Sequence, residues 1–237
     1  MDRGLGLVAA AMLALGVAVS GYLVGEGFRE GRKAERYVTV KGLAEKTVKA
    51  DQALWMLQLT RASDDLGLVQ QSLERDVAAV RSFFTQSGLS ADEIGLARLE
   101  VIDQLAQAYR SQPINDNRYI INQTVKVESD KVDIVNGLQN QTNELLKLGV
   151  IVNGWSPAVF TYNGLNAVKP EMIAEATQAA RASAEQFAED SGSDITGILR
   201  ANQGVFSIQS AGSAFAEPES LMKKVRAVVT IDYRLED

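Results

Sequence analysis

The 237-residue chain contains no cysteine and no histidine. The first absence excludes disulfides, thiol nucleophiles, zinc fingers and iron–sulfur clusters. The second excludes Ser-His-Asp and Cys-His catalysis and every histidine-ligated metal site. Aromatic residues are scarce at 6%, and 24 basic residues face 30 acidic ones, for a net charge of −6. Nucleic-acid binding needs a basic face that this balance does not provide, so no nucleic-acid partner is expected. With 46% hydrophobic residues, the length suffices for one large domain or two small ones.

What the sequence does have is an uncharged run from Leu5 to Val24, LGLVAAAMLALGVAVSGYLV. As a helix rising 1.5 Å per residue it would cross a hydrocarbon core of about 30 Å. Membrane helices tolerate its Gly6, Gly16 and Gly21, and Tyr22 lies where an interfacial aromatic belongs. A retained anchor over residues 1–24 is one expectation. A cleaved signal peptide is the other, because Ala18-Val19-Ser20 before Gly21 forms a small-residue cleavage site. Against cleavage stand an n-region of only Met-Asp-Arg and an apolar run longer than the usual ~7–15 residues. Arg3 alone precedes the run, whereas Arg29, Arg32, Lys33 and Arg36 follow it, mixed with Glu26, Glu30 and Glu35. The positive-inside rule therefore leans towards a cytoplasmic domain, but it binds weakly for long translocated domains. Residues 25–36 read as a charged linker.

Periodicity assigns the rest. From Lys223 to Leu235 the odd positions Val225, Ala227, Val229, Ile231, Tyr233 and Leu235 are apolar against a mostly polar even set, the pattern of a half-buried strand. Tyr119–Glu128 repeats it. Val38–Ala44 and Val48–Thr60, around a polar break at Glu45-Lys46, predict a hairpin. Leu96–Gln107, Val150–Tyr162 and Ile195–Ile208 are further strand candidates. Three helices are predicted. One covers 64–86 with Ser63 as N-cap and a stripe of Leu66, Val69, Leu73, Val77, Val80 and Phe84. A second covers 131–148, capped by Ser129 or Asp130, with Ile134, Leu138, Leu145 and Leu148 facing inward. A third covers 170–190 with Pro170 in its first turn. Its buried face would be Ile173, Ala176, Ala180, Ala184, Phe187 and Ala188, small enough to approach a sheet or another subunit closely.

An internal duplication is suggested by the helix exits. Ser87-Gly88 leads into Asp92-Glu93-Ile94-Gly95-Leu96, and Ser191-Gly192 leads into Asp194-Ile195-Thr196-Gly197-Ile198. Both glycines sit where a helix C-cap takes a left-handed residue. The two β-α-β-β units would be 48–128 and 150–235, joined by the helix at 131–148. Ala108–Asn117 and Gln209–Ser220 read as loops, and Phe206 and Phe215 near the second could plug their own domain or dock on another subunit.

Tests for chemistry return little. Ser220-Leu221-Met222-Lys223 fits S-x-x-K, but neither S-D-N nor K-T-G accompanies it, and it leads into a strand where that motif opens a helix. Asp190-Ser191-Gly192-Ser193-Asp194 lacks the spacing and distal Glu of a calcium loop. Gly25, Gly27 and Gly31 do not form G-x-G-x-x-G. The sequons at Asn122 and Asn140 lie in a predicted strand and helix. Trp55 and Trp155 fit core strand positions, with ligand stacking as the alternative. No close carboxylate pair stands at a predicted strand end.

Val38-Thr39-Val40-Lys41-Gly42-Leu43-Ala44-Glu45, followed by Val48-Lys49-Ala50-Asp51-Gln52-Ala53, resembles the opening of SIMPL-domain proteins: V-x-V-x-G-x-A/G, a polar break, then D-x-A leading into a second strand. The alanine-rich helix Ala174–Ala188 before a glycine and the alternating C-terminal strand are also similar to that family, over about residues 36–237. The resemblance implies an α+β fold in a periplasmic or envelope protein with an N-terminal signal or anchor. Members related to a periplasmic immunogenic antigen form large rings, some members are linked to stress, and a mammalian namesake acts in kinase signalling through protein contacts. The family carries no catalytic residues to transfer, and this chain departs from its secreted members by the long, poorly basic anchor.

The resulting expectation is an α+β protein with a mixed, mainly antiparallel sheet and helices packed on it. A transmembrane helix at 1–24 and a linker at 25–36 would precede a SIMPL-like domain at 37–237. It would be a single-pass inner-membrane protein with a periplasmic domain. It would form homo-oligomers or bind an unidentified protein partner, without enzymatic activity and with no catalytic, cofactor-binding or metal residues. The alternatives are a small-ligand binding module, marked by a deep apolar pocket, and an enzyme using Asp, Glu, Lys, Tyr or Ser alone.

Overall fold

A computed structural model describes residues 12, 14–26, 36–106, 117–154, 156–212 and 218–236. Residues 14–26 form helix α1, solvent-exposed along its length. Among the described residues no helix is long and apolar enough to cross a membrane. The uncharged run begins at Leu5, and most of its first half lies outside the described residues. Trp155, Phe215, most of the loop at 108–117 and residues 27–35 of the expected linker lie outside them as well.

The chain is a mixed α+β structure with two antiparallel sheets and helices packed on them. In order after α1 come β1 (Tyr37–Lys49), β2 (Gln52–Ser63), α2 (Leu66–Gln86), β3 (Ile94–Asp103), β4 (Tyr119–Ser129), α3 (Val132–Gln139), α4 (Asn143–Lys147), β5 (Val159–Thr161), α5 (Leu165–Ser191), β6 (Asp194–Gln203), β7 (Ser207–Ser210) and β8 (Met222–Glu236). One sheet has the order β3-β4-β2-β5; the other has β1-β8-β6, with β7 also on β8. Two compact units divide the chain. The larger holds Leu43–Thr177 and Gly204–Val228; the smaller holds Met1–Gly42, Gln178–Gln203 and Val229–Asp237.

In the larger unit, β2 pairs with β4 over its whole length, from Ala53↔Ser129 to Ser63↔Tyr119. Their alternation places Ala53, Trp55, Leu57 and Leu59 on one side with Ile121, Val125 and Val127 of β4. α2 lies on this face and contributes Val69, Leu73, Val80 and Phe84. Its N-cap is Asp65, whose carboxylate accepts from the Gly67 and Leu68 N–H groups, two residues beyond the predicted Ser63. The Ser63 hydroxyl instead accepts from the Asp65 N–H.

The expected hairpin around Glu45-Lys46 does not form. β1 runs straight through both residues, because Glu45 faces Lys224 and Arg226 of β8 while Lys46 meets Glu171 of α5 at 2.5 Å. The chain turns at Ala50-Asp51 and enters the other sheet. The Asp51 carboxylate holds that corner by accepting from the Asn163 and Gly164 N–H groups. The helix predicted at 131–148 is two short helices, broken at 140–142. Its inward residues are Val132, Val135, Leu138 and Leu145, while Leu148 is exposed and the Ser129 hydroxyl accepts from the Lys131 N–H. The strand predicted at 150–162 is reduced to one bridge, Val152 to Leu59, and the three residues of β5.

In the smaller unit, β6 pairs with the end of β8 from Asp194↔Glu236 to Gln203↔Val229, with two register shifts. The Leu235 N–H donates to the Arg36 carbonyl and the Thr39 hydroxyl donates to Asp232. α5 begins five residues before Pro170, so that proline lies inside the helix. Its buried positions recur every fourth residue, Val168, Met172, Ala176, Ala180, Ala184 and Ala188. Phe187, predicted inward, is exposed, and Ile173 is half-buried. Gly88 and Gly192 both take positive φ, 100° and 67°, as the helix exits require.

The strand order corrects the duplication. β2, α2, β3 and β4 share one sheet, but β5, the first strand of the expected second unit, pairs with β2. The place beside β8 that corresponds to β2 beside β4 is taken by β1.

Candidate functional site

A concavity in the larger unit lies between α2 and the margin of its sheet. α2 packs over β2 and β4, so β3, the end strand of the order β3-β4-β2-β5, is left uncovered. On β3, Leu96, Leu99 and Val101 pair with Val125, Gln123 and Ile121. Residues directly opposite in an antiparallel pair point to the same face, so these three aliphatic side chains face the core side. They are nevertheless 50%, 59% and 52% exposed. A β-bulge between Leu96 and Leu99 inserts one residue and keeps both leucines on that face. The groove above them encloses about 490 Å³, walled on the helix side by Leu66, Leu73 and Val77. Its polar groups are Gln70, Glu74 and Gln123. The Gln70 amide donates to Glu74, and the Gln123 amide donates to the carbonyls of Arg98 and Thr124, which stabilises the bulge.

A second cavity of about 560 Å³ lies between β5 and β7, lined by Phe160, Tyr162, Asn163, Gln209 and the buried Lys223 among others. The Lys223 ammonium reaches the Pro218 carbonyl at 3.5 Å. Of the S-x-x-K pattern, the Ser220 hydroxyl donates to the Met222 carbonyl and Lys223 lies within a strand, a structural arrangement. The Asp190–Asp194 segment ends α5, where the Gln186 amide donates to Asp190. Among the described residues no group of three acidic side chains is placed to hold a metal ion. Trp55 is a core residue: its indole N–H donates to the Ser156 carbonyl at 2.6 Å and its ring meets Phe84 edge-on. Phe206 stays with its own unit, 6.0 Å from the Lys169 ammonium.

The shifted ionisations in the larger unit have structural causes. Burial works against charge on Glu93, but hydrogen bonds from the Ser129 hydroxyl, the Ser90 backbone, Lys131 and the Ser90 hydroxyl outweigh it and lower its pKa to about 2. A carboxylate depressed in this way stabilises the fold above its ordinary pKa near 4.5, and the contribution disappears as pH falls towards 2. Glu93→Gln is therefore expected to cost about 2 kcal/mol at pH 7 and to flatten the loss of stability between pH 4.5 and 2. Urea unfolding followed by tryptophan fluorescence across that range checks this. Asp103 is lowered chiefly by the paired Arg118 guanidinium, at 2.9 Å.

None of the groove residues stood out in the sequence as a site. Leu66, Leu73 and Val77 read as core stripe, which Leu73 is. The signal was available in Leu96, Leu99 and Val101, whose 3-then-2 spacing fits neither a plain strand nor a helix.

The profile of SIMPL, described as a protein of unknown function (DUF541), matches residues 38–233. No curated protein matches the chain. Two solved structures from Listeria innocua are similar at 12% identity. One, an uncharacterized conserved protein, is matched over 78% of this chain and 91% of its own with a TM-score of 0.20. The other, described as a hydrolase, is matched over 86% and 97% with a TM-score of 0.21.

Proposed function

We propose that this chain, which belongs to the SIMPL family, is a non-enzymatic, membrane-tethered envelope protein whose folded part self-assembles or binds a protein partner. The observation that carries this reading is the uncovered aliphatic face of β3. Three large aliphatic side chains in core-facing register, each at least half exposed, mark an interaction surface more readily than a solvated one. The tether rests on the uncharged run Leu5–Val24 and on the exposure of residues 14–24 within it. A helix apolar on all sides is stable in a bilayer or buried against protein. Tethering confines copies to a plane and raises their effective concentration, which favours assembly. The shifted groups Glu93, Asp103 and Arg61 are each held by partners within the fold. A role in stress response would follow from the family resemblance alone.

A reporter fused at the C-terminus, combined with the mass of the mature N-terminus, tests address and tether together. Activity of a periplasm-only reporter on a chain retaining residues 1–24 is the expected result. Activity of a cytoplasm-only reporter would overturn the periplasmic placement. The 490 Å³ groove favours a second reading, a small-ligand binding module, since its size suits an apolar ligand. Saturable uptake of an environment-sensitive apolar dye by a monomeric chain, abolished by Leu66→Glu at the exposed rim of the groove, would favour that reading over assembly.

A further inference from the structure

We propose that β3 pairs antiparallel with β3 of a second copy of this chain, about a twofold axis through Leu99. The inference rests on the self-assembly reading above and names its surface. β3 ends its sheet, and no strand among the described residues occupies its outer edge. Such an edge is a template for another strand, which charged side chains and bulges normally guard. Here the guard is itself self-complementary. Arg98 and Glu100 flank Leu99, are 76% and 40% exposed, and reach each other only at 3.4 Å. In an antiparallel pair centred on Leu99, Arg98 lies opposite Glu100 of the second copy, and Glu100 opposite its Arg98. Leu99 meets Leu99, and the strand is regular from Leu99 onward, while Ala97 lies in the bulge.

Charge selects this register. Centring the pair on residue 98 sets arginine against arginine, and centring it on residue 100 sets glutamate against glutamate, both unfavourable for directly opposed residues. A one-residue slip opposes Leu99 to a charged residue and puts aliphatic and charged faces on the same side. The chosen register leaves the aliphatic side chains of both copies on one side, where α2 leaves β3 uncovered. The contact is isologous, so it closes as a dimer.

The absence of cysteine allows a direct test. Opposed Cα atoms in an antiparallel pair lie about 4.5–5.5 Å apart, within disulfide reach. In the full-length chain in detergent, Leu99→Cys is expected to form a disulfide-linked dimer on mild oxidation. Val101→Cys should stay monomeric, because four residues offset it from its own copy. Adding Arg98→Glu to Leu99→Cys should slow crosslinking about tenfold, and adding Glu100→Arg to that variant should restore it. Crosslinking at 101 but not at 99, or indifference to charge reversal, would overturn the proposal. Oligomers by light scattering without a residue-99 crosslink would overturn this interface and leave self-assembly standing. The mass of one chain at every concentration would overturn both. A monomer that takes up apolar dye would assign the groove to a ligand and overturn the pairing.

Discussion

Replacing Asp76 by alanine is expected to lower the stability of the larger unit by about 3–5 kcal/mol. Asp76 is 6% exposed in the middle of α2, the one charged residue on its buried face. Its two oxygens take both prongs of Arg61 on β2, at 2.5 Å from Nε and 2.8 Å from Nη2. The same Nη2 also donates to the Gly149 carbonyl at 2.6 Å, so the pair ties β2, α2 and the segment after α4 together. Alanine removes the countercharge and leaves a half-buried guanidinium, 26% exposed, with only a carbonyl partner. The charge that is stranded costs more than the interaction that is lost. The double substitution Arg61→Met with Asp76→Leu should therefore be much milder than Asp76→Ala alone. Urea unfolding followed by Trp55 fluorescence measures both. A cost below about 1 kcal/mol for Asp76→Ala would show that water reaches the pair.

Trp55→Ala is expected to cost about 3–5 kcal/mol. The side chain is 2% exposed, its ring lies 5.6 Å from that of Phe84 at 68°, and its N–H satisfies the Ser156 carbonyl. Alanine empties the space beneath the C-terminal end of α2, beside Phe84, and leaves that carbonyl without its donor. Trp55→Phe keeps most of the ring packing but still loses the hydrogen bond, so its cost should be intermediate. Far-ultraviolet circular dichroism during urea unfolding provides the readout, since the substitution removes one of the two tryptophans and leaves only Trp155. Equal costs for the two substitutions would mean that the hydrogen bond, rather than the cavity, dominates.

The elements legible in the sequence were those whose pattern depends on local geometry alone. β8 alternates as its residues predict, β4 likewise, and the α2 stripe from Val69 to Phe84 is buried apart from the half-buried Val77. What was not legible depended on partners distant in sequence. Glu45-Lys46 looks like a break until β8 and α5 supply their counterions. Residues 150–158 have strand propensity, but among the described ones a single β-bridge forms, through Val152. The inward face of α5 follows a four-residue spacing, which excludes Phe187 in favour of alanines. The groove is the clearest case: Leu96, Leu99 and Val101 are core-like by composition, and only the position of α2 over β2 and β4 leaves them uncovered.

That uncovered face makes association the property on which the functional reading depends. The measurement closest to it is the protein mass of the full-length chain in detergent micelles, determined by light scattering over a wide concentration range. Self-assembly predicts at least twice the 25.6 kDa of one chain, falling towards it when Arg98→Glu is introduced. A mass of one chain throughout would contradict it.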